Sequence, residues 1–156
     1  MTQTDDNLSL VIAEIIPPEA ANFAGKAHGG YLLNSLDRVA YACATRYASN
    51  YTVTLSVDQV VFREPVYVGD LVTFNAAINR VGKTSMEVGI KVIAEDLKTS
   101  QKRHTNTCYF TMVALDETGN PTKVPPYTPK TEEQIRRHQE AILRHETRLT
   151  LAKRMK

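Results

Sequence analysis

The chain has 156 residues, a formal net charge of +2 and 23% charged residues, which fits one domain with a substantial core and gives no electrostatic footprint for nucleic acid. No apolar stretch reaches the roughly 20 residues of a membrane-spanning helix, and the polar start, Met1 to Asn7, has neither the basic nor the apolar part of a secretory signal. The two cysteines, Cys43 and Cys108, lack metal-ligand spacing, so reduced buried thiols and a cytoplasmic location are expected, with no membrane insertion.

Leu8 to Ile16 reads as a first strand, ended by Pro17-Pro18. A loop carrying Asn22 and Gly25 leads to a helix that starts at Gly29 or Gly30 and runs to about Ser49, with Asn50 marking its exit. Wound at about 100° per residue, Leu33, Leu36, Ala40, Cys43, Ala44 and Tyr47 share one apolar stripe. Asp37 falls at the edge of that stripe, and Ser35, Arg38 and Ala42 face away. Beyond the helix the period changes to two: Val53, Leu55 and Val57 alternate with Thr52, Thr54, Ser56 and Asp58 in a strand to about Phe62. Pro65 and Gly69-Asp70 punctuate a connection, after which residues 71–80, 85–95 and 103–115 read as three long strands. Glu117-Thr118-Gly119-Asn120-Pro121 then forms a turn.

Residues 1–130 are expected to form a single domain and residues 131–156 a basic C-terminal helix packed on it or on a neighbouring subunit. Thr131-x-x-Gln134 is a capping box. Ile135, Ile142 and Leu149 recur every seven residues, with His138, His145 and Ala152 completing the seam. Glu132/Arg136, Glu133/Arg137 and Glu140/Arg144 are expected ion pairs on the other faces.

Several residues suit chemistry. A carboxylate on the packed side of a helix costs stability unless compensated, which marks Asp37 as a functional group. Asn22 offers an acceptor and two donors, although Asn in such a loop is also an ordinary turn residue. Gly29 and Gly30 place backbone N–H groups at a helix start, where negative charge is favoured. Gly82-Lys83-Thr84-Ser85 lies between two strands as a hairpin turn and lacks the upstream glycine of a nucleotide-binding loop. There is no Gly-x-Ser-x-Gly elbow, and the histidines show no zinc pattern, so no metal site is expected.

The string Asn22-x-x-Gly25-x-x-His28-Gly29-Gly30, followed by a helical Asp37, resembles the hotdog-fold acyl-CoA thioesterases. More specifically it is similar to the acyl-CoA hydrolase group that includes brain-type acyl-CoA hydrolase and small bacterial acyl-CoA thioesterases. Further matches follow in order: Val53-Thr54-Leu55-Ser56-Val57-Asp58, Phe62-Arg63-Glu64-Pro65-Val66, Val81-Gly82-Lys83-Thr84-Ser85-Met86 and Phe110-Thr111-Met112-Val113. The resemblance implies an α+β hotdog fold, with a long central helix wrapped by an antiparallel sheet, plus the C-terminal helix. It implies hydrolysis of acyl-CoA to free acid and coenzyme A, with no cofactor beyond the coenzyme A of substrate and product. Asp37 would act as general base or nucleophile, and Asn22 would face it from across a homodimer interface. Gly29 and Gly30 would hold the oxyanion. His28 and Tyr31 would line the substrate path, and Arg63 and the Gly82, Lys83, Thr84 and Ser85 turn would lie near the phosphates or pantetheine. Three dimers would make a hexamer.

Two other functions share these residues. A hotdog hydratase or dehydratase would pair His28 with Asp37, and a non-catalytic acyl-CoA-binding module would dock a partner on the C-terminal helix. The chain departs from its relatives in carrying Tyr31 where Trp is frequent and Arg38 beside the key aspartate.

Overall fold

The computed structural model describes residues 7–156; Met1 to Asp6, and with them most of the polar start read above, lie outside the described residues. Five strands form one antiparallel sheet in the order β1 (Ser9–Ile15), β3 (Leu71–Val81), β4 (Ser85–Glu95), β5 (Lys102–Leu115) and β2 (Tyr51–Val57). Alternation builds its inner face. Val72, Phe74 and Ala76 of β3, Val88, Ile90 and Val92 of β4, and Cys108, Phe110 and Met112 of β5 are all buried.

Against this face lies α1 (Gly29–Ala48), and after β5 an extended connection leads to α2 (Glu132–Arg154). His28 caps α1 by accepting from the Gly30 amide, and Ser49 ends it in the left-handed region at φ 52°. This is the long helix and curved antiparallel sheet of the expected hotdog fold. No helix among the described residues is long and apolar enough to cross a membrane.

Three expectations need correction. The buried face of α1 is rotated toward Leu32 and Val39: Leu33 is 40% exposed, whereas Ser35 is only 3% exposed. Ser35 tolerates burial because its hydroxyl donates to Glu14 Oε1 of β1 at 2.6 Å.

The second correction concerns β2, which stops at Val57; residues 58–63 continue along β5 only through the amides of Asp58 and Arg63. Its alternation is also inverted. Thr52 is 1% exposed, with its hydroxyl 2.8 Å from that of Thr45 on α1, while Leu55 is 67% exposed. A register shift between Thr54 and Ser56 breaks the pairing with β5 there.

The third correction concerns α2. Its seven-residue apolar row faces outward, with Ile135 41%, Ile142 37% and Leu149 51% exposed. The helix instead rests on the outer, polar face of the sheet through charge. Arg144 donates to Glu87 at 2.7 Å, Arg148 to Asp58 at 2.8 Å, and His138 Nδ1 lies 3.1 Å from the Asn79 carbonyl oxygen. Glu87 is 2% exposed, and a buried carboxylate selects cations over isoleucines as its cover. Arg144 is thereby withdrawn from Glu140, which pairs with Arg136 instead, while Glu133/Arg137 forms as expected.

Candidate active site

Asp37 lies midway along α1, on the flank turned toward β2. In the single chain it is exposed rather than packed. One of its oxygens is fixed: Thr54 Oγ1 of β2 donates to Asp37 Oδ1 at 2.6 Å. The pair opens into a depression of about 300 Å³ bordered by Tyr41, Tyr51, Val53 and Met112. Arg38 also borders this depression, but its guanidinium reaches Glu14 at 3.9 Å. A carboxylate with one oxygen held by a hydroxyl keeps the other free to accept a proton.

Thr54 was not singled out from the sequence, because threonine on a strand is first of all a residue that suits strands. The overlooked signal is chemical. Two threonines two positions apart, Thr52 and Thr54, face a helix that supplies Thr45 and Asp37 as partners.

Asn22 and the glycines lie together at the N-terminal end of α1. Asn22 Oδ1 accepts from the amides of Ala24 at 2.9 Å and Lys26 at 3.0 Å, closing a turn in which Gly25 adopts φ 77°. Its Nδ2 donates to nothing among the described residues. His28 Nδ1 takes the Gly30 amide at 3.0 Å, so that amide is occupied by the helix cap. The Gly29 amide has no partner among the described residues, and a Cβ at Gly29 would stand 3.7 Å from the Phe62 ring. Within one chain the Gly29 amide and Asp37 are separated by eight helical residues, about 12 Å of rise.

The other candidate residues are dispersed. Tyr31 donates to Glu14 at 3.4 Å, and burial together with that carboxylate pushes its phenol above the ordinary value. Gly82 to Ser85 make the tight β3–β4 turn, closed by the Gly82 amide on the Ser85 carbonyl at 2.8 Å, with Lys83 exposed. Arg63 lies on the outer face of the sheet, away from α1, in a hollow with His104, Thr107 and Tyr109. Asp58 and Asp70 serve the fold, as expected: Asp70 is bonded to Arg103 at 2.6 Å and Asp58 to Arg148. Among the described residues no cluster of three His, Cys, Asp or Glu side chains is arranged to hold a metal ion.

Comparison with known proteins places the chain among thioesterases. The chain is 56% identical to protein VdlD of Helicobacter pylori over 145 residues, covering 93% of this chain and 83% of that one. Its fold superposes with TM-score 0.90 on an apo-hexameric acyl-CoA thioesterase, 33% identical, over 94% of each chain. It superposes with TM-score 0.83 on an acyl-CoA hydrolase from Staphylococcus aureus solved with butyryl coenzyme A and coenzyme A, 27% identical, over 94% of this chain and 92% of that one. The family model described as thioesterase superfamily matches residues 24–101, which hold the Gly-Gly start of α1, Asp37 and Thr54, and the chain belongs to that superfamily.

Proposed function

We propose that the protein hydrolyses acyl-CoA thioesters to a carboxylic acid and coenzyme A, needing no cofactor beyond the coenzyme A of its substrate, in a site shared by two chains. The observation that carries this reading is the split along α1. Asp37 and Thr54 stand at the free edge of the sheet, whereas the Gly29 amide stands about 12 Å away along the helix and Asn22 lies in the loop before it. Acyl transfer needs the attacking group and the oxyanion donors within about 3 Å of one carbonyl group, so a single chain does not close the site.

Pairing β2 with the same strand of a second chain about a twofold axis completes it. That pairing covers the exposed edge, where Tyr51 is 59%, Leu55 67% and Val57 41% exposed. It carries Asn22 of one chain toward Asp37 of the other, and three such dimers make a hexamer.

In this site Thr54 steadies one oxygen of Asp37, and the other accepts a proton from water as the water oxygen bonds to the thioester carbon. The Asn22 amide and the Gly29 N–H hold the oxyanion; the C–S bond then breaks and the proton passes to the departing sulfur. The Staphylococcus aureus hydrolase supports this reading. Its alanine variants include an asparagine and an aspartate 15 residues apart and a threonine 17 residues further on, the spacing of Asn22, Asp37 and Thr54. A hydratase pairing of His28 with Asp37 gains no support within one chain, where about 13 Å of helix separates them.

The test is thiol release with Ellman's reagent on acyl-CoAs from acetyl to palmitoyl, using Asn22→Ala and Asp37→Ala chains alone and co-expressed. Each variant alone should be nearly inactive. Random pairing makes half the dimers mixed, and each mixed dimer keeps one intact site, so co-expression should restore about a quarter of wild-type activity. Failure to restore it, with both variants folded and assembled, would place both groups in one chain and overturn the shared site. No turnover by folded wild-type protein would overturn the hydrolase itself.

A further inference from the structure

The turn that carries Asn22 is clamped at both ends by one short connection. Asn22 lies in the stretch that leaves β1 after Ile15 and enters α1 at Gly29. At its entry, the Ile16 amide donates to the Asp70 carbonyl at 3.0 Å, and the Gly69 amide donates to the Ile16 carbonyl at 2.8 Å. At its exit, the Ala27 amide donates to the Val66 carbonyl at 2.7 Å, and Lys26 pairs with Tyr67 in an isolated antiparallel bridge. Residues 65–70 therefore set where the Asn22 turn stands.

One buried carboxylate shapes that connection. Asp70, 5% exposed, accepts from the Tyr67 amide at 2.9 Å, while its own amide donates to the Tyr67 carbonyl at 3.1 Å. The same oxygen, Oδ2, accepts from Arg103 Nη2 of β5 at 2.6 Å, and that nitrogen also donates to the Pro65 carbonyl at 3.3 Å. The Arg103 guanidinium stands 5.4 Å from the centroid of the Tyr67 ring. One cation thus grips the connection at Pro65, Tyr67 and Asp70. From there the path to Asn22 is short. Lys26, the bridge partner of Tyr67, donates its amide to Asn22 Oδ1 at 3.0 Å, and its carbonyl accepts from the Asn22 amide at 2.6 Å.

Stability alone is a weak reason for such a pair. A buried ion pair is about neutral against apolar residues of the same size, and Arg103 Nε is buried with no hydrogen-bond partner among the described residues. Val66, 3% exposed, already seats the connection in the core. What the planar guanidinium adds is direction, because it fixes the angle at which residues 65–70 leave that seat.

We infer that Asp70 and Arg103 are positioning residues for Asn22: through residues 65–70 they hold its turn so that the free Nδ2 stands in one place. What Asn22 does to a thioester rests on the hydrolase reading; how its turn is held does not. An oxyanion donor acts in the transition state, so loosening the turn lowers kcat and leaves KM nearly unchanged.

The experiment compares the whole chain with its Asp70→Asn/Arg103→Gln variant, which removes both charges so that neither is stranded. Amide hydrogen exchange is followed by mass spectrometry in peptides from residues 20–28 and from β4, and kcat and KM are measured on an acyl-CoA that wild type hydrolyses. Exchange at 20–28 should quicken about tenfold, the effect of about one lost hydrogen bond, with β4 unchanged. In parallel kcat should fall about ten- to a hundredfold, with KM within about twofold. Should the double variant not fold, Arg103→Lys takes its place: it keeps Asp70 paired but lacks the planar group, and the same outcomes are expected. Exchange at 20–28 that stays at the wild-type rate, or that quickens equally in β4, would mark a pair serving general stability and overturn the inference. Local quickening with kcat unchanged would overturn it as well, since Asn22 would not need the grip. If wild type turns over no thioester, the hydrolase reading falls, and the exchange result alone decides whether the pair holds the turn.

Discussion

Replacing Glu87 with alanine tests how α2 is held. Glu87 is 2% exposed and accepts three contacts from Arg144, at 3.2, 3.2 and 2.7 Å, and one from Asn79 at 3.1 Å. Arg144 lies 3.6 Å from the centroid of the Tyr109 ring. Burial alone would lower the Arg144 pKa, but the hydrogen bonds and charge of Glu87 outweigh it and hold the guanidinium above its ordinary range. Removing the carboxylate leaves Arg144 without its bonded counter-ion and Asn79, 3% exposed, without its acceptor. Breaking one partner of a buried pair costs about 3–5 kcal/mol. Because the Arg144 side chain keeps 21% exposure, the lower end applies, about 3 kcal/mol. At roughly 2–4 °C per kcal/mol for a chain of this size, the midpoint of thermal unfolding should fall by about 6–12 °C. The assay is circular dichroism melting at matched protein concentration. Adding Arg144→Met should recover about 2 kcal/mol, because the stranded cation goes with it. A Glu87→Ala protein within about 1 kcal/mol of wild type, or a strictly additive double variant, would refute the buried-pair account.

Three further outcomes are expected. Thr54→Val removes a hydrogen bond to a charged group worth about 1.5–3 kcal/mol, so kcat should fall about ten- to a hundredfold with the fold intact, while Thr54→Ser retains most of it; an unchanged kcat in the valine variant would remove Thr54 from the site. Burial pushes the thiols of Cys43 and Cys108 up to about 12, so native protein at pH 8 should not react with Ellman's reagent, whereas guanidinium-unfolded protein should release both thiols; rapid native labelling would contradict their burial. Burial, then the charges of Arg80 and Arg148, lower the His145 pKa below 6.5. The unfolded chain therefore takes up that proton first, and stability is intact above about pH 6.5 and declines as pH falls toward the folded value. His145→Gln should flatten the shift of the urea midpoint between pH 7 and pH 5, and an identical shift in both proteins would remove His145 from α2 docking.

The strands β3, β4 and β5 were legible because each buries a full set of alternating apolar residues against one helix, a pattern that a single chain records. The α1 stripe was read a step out of phase. Ser35 looked like a solvent residue until its partner, Glu14 on β1, was seen, and that contact is 21 residues distant in sequence. The edge strand misled for a related reason. The alternation of β2 suggested Val53, Leu55 and Val57 as one apolar face, yet the strand's inner face carries hydroxyls for Thr45 and Asp37, and Leu55 and Val57 stay exposed at an unpaired edge. In α2 the seven-residue repeat was real, but a buried carboxylate on β4 decided which face docks, and local periodicity carries no trace of Glu87. Asp37, Asn22 and the glycines are candidates that an ordered motif supplies, whereas Thr54 becomes one only through a contact across two elements.

The way α2 is fastened has a consequence for the body beneath it. The sheet's outer face holds Asn75, Asn79, Glu87, Lys91 and Tyr109, groups that water solvates well once uncovered. Lifting the whole helix away therefore rehydrates Glu87 instead of stranding it, and bares no oily surface on which chains would coagulate. A Glu87→Ala chain can relieve its stranded cation by releasing α2, so deletion of residues 130–156 sets the upper bound on what that single change costs. The C-terminal helix is thus fastened by charge to a face that water can take over, which makes its docking a matter of matched counter-charges more than of buried apolar area.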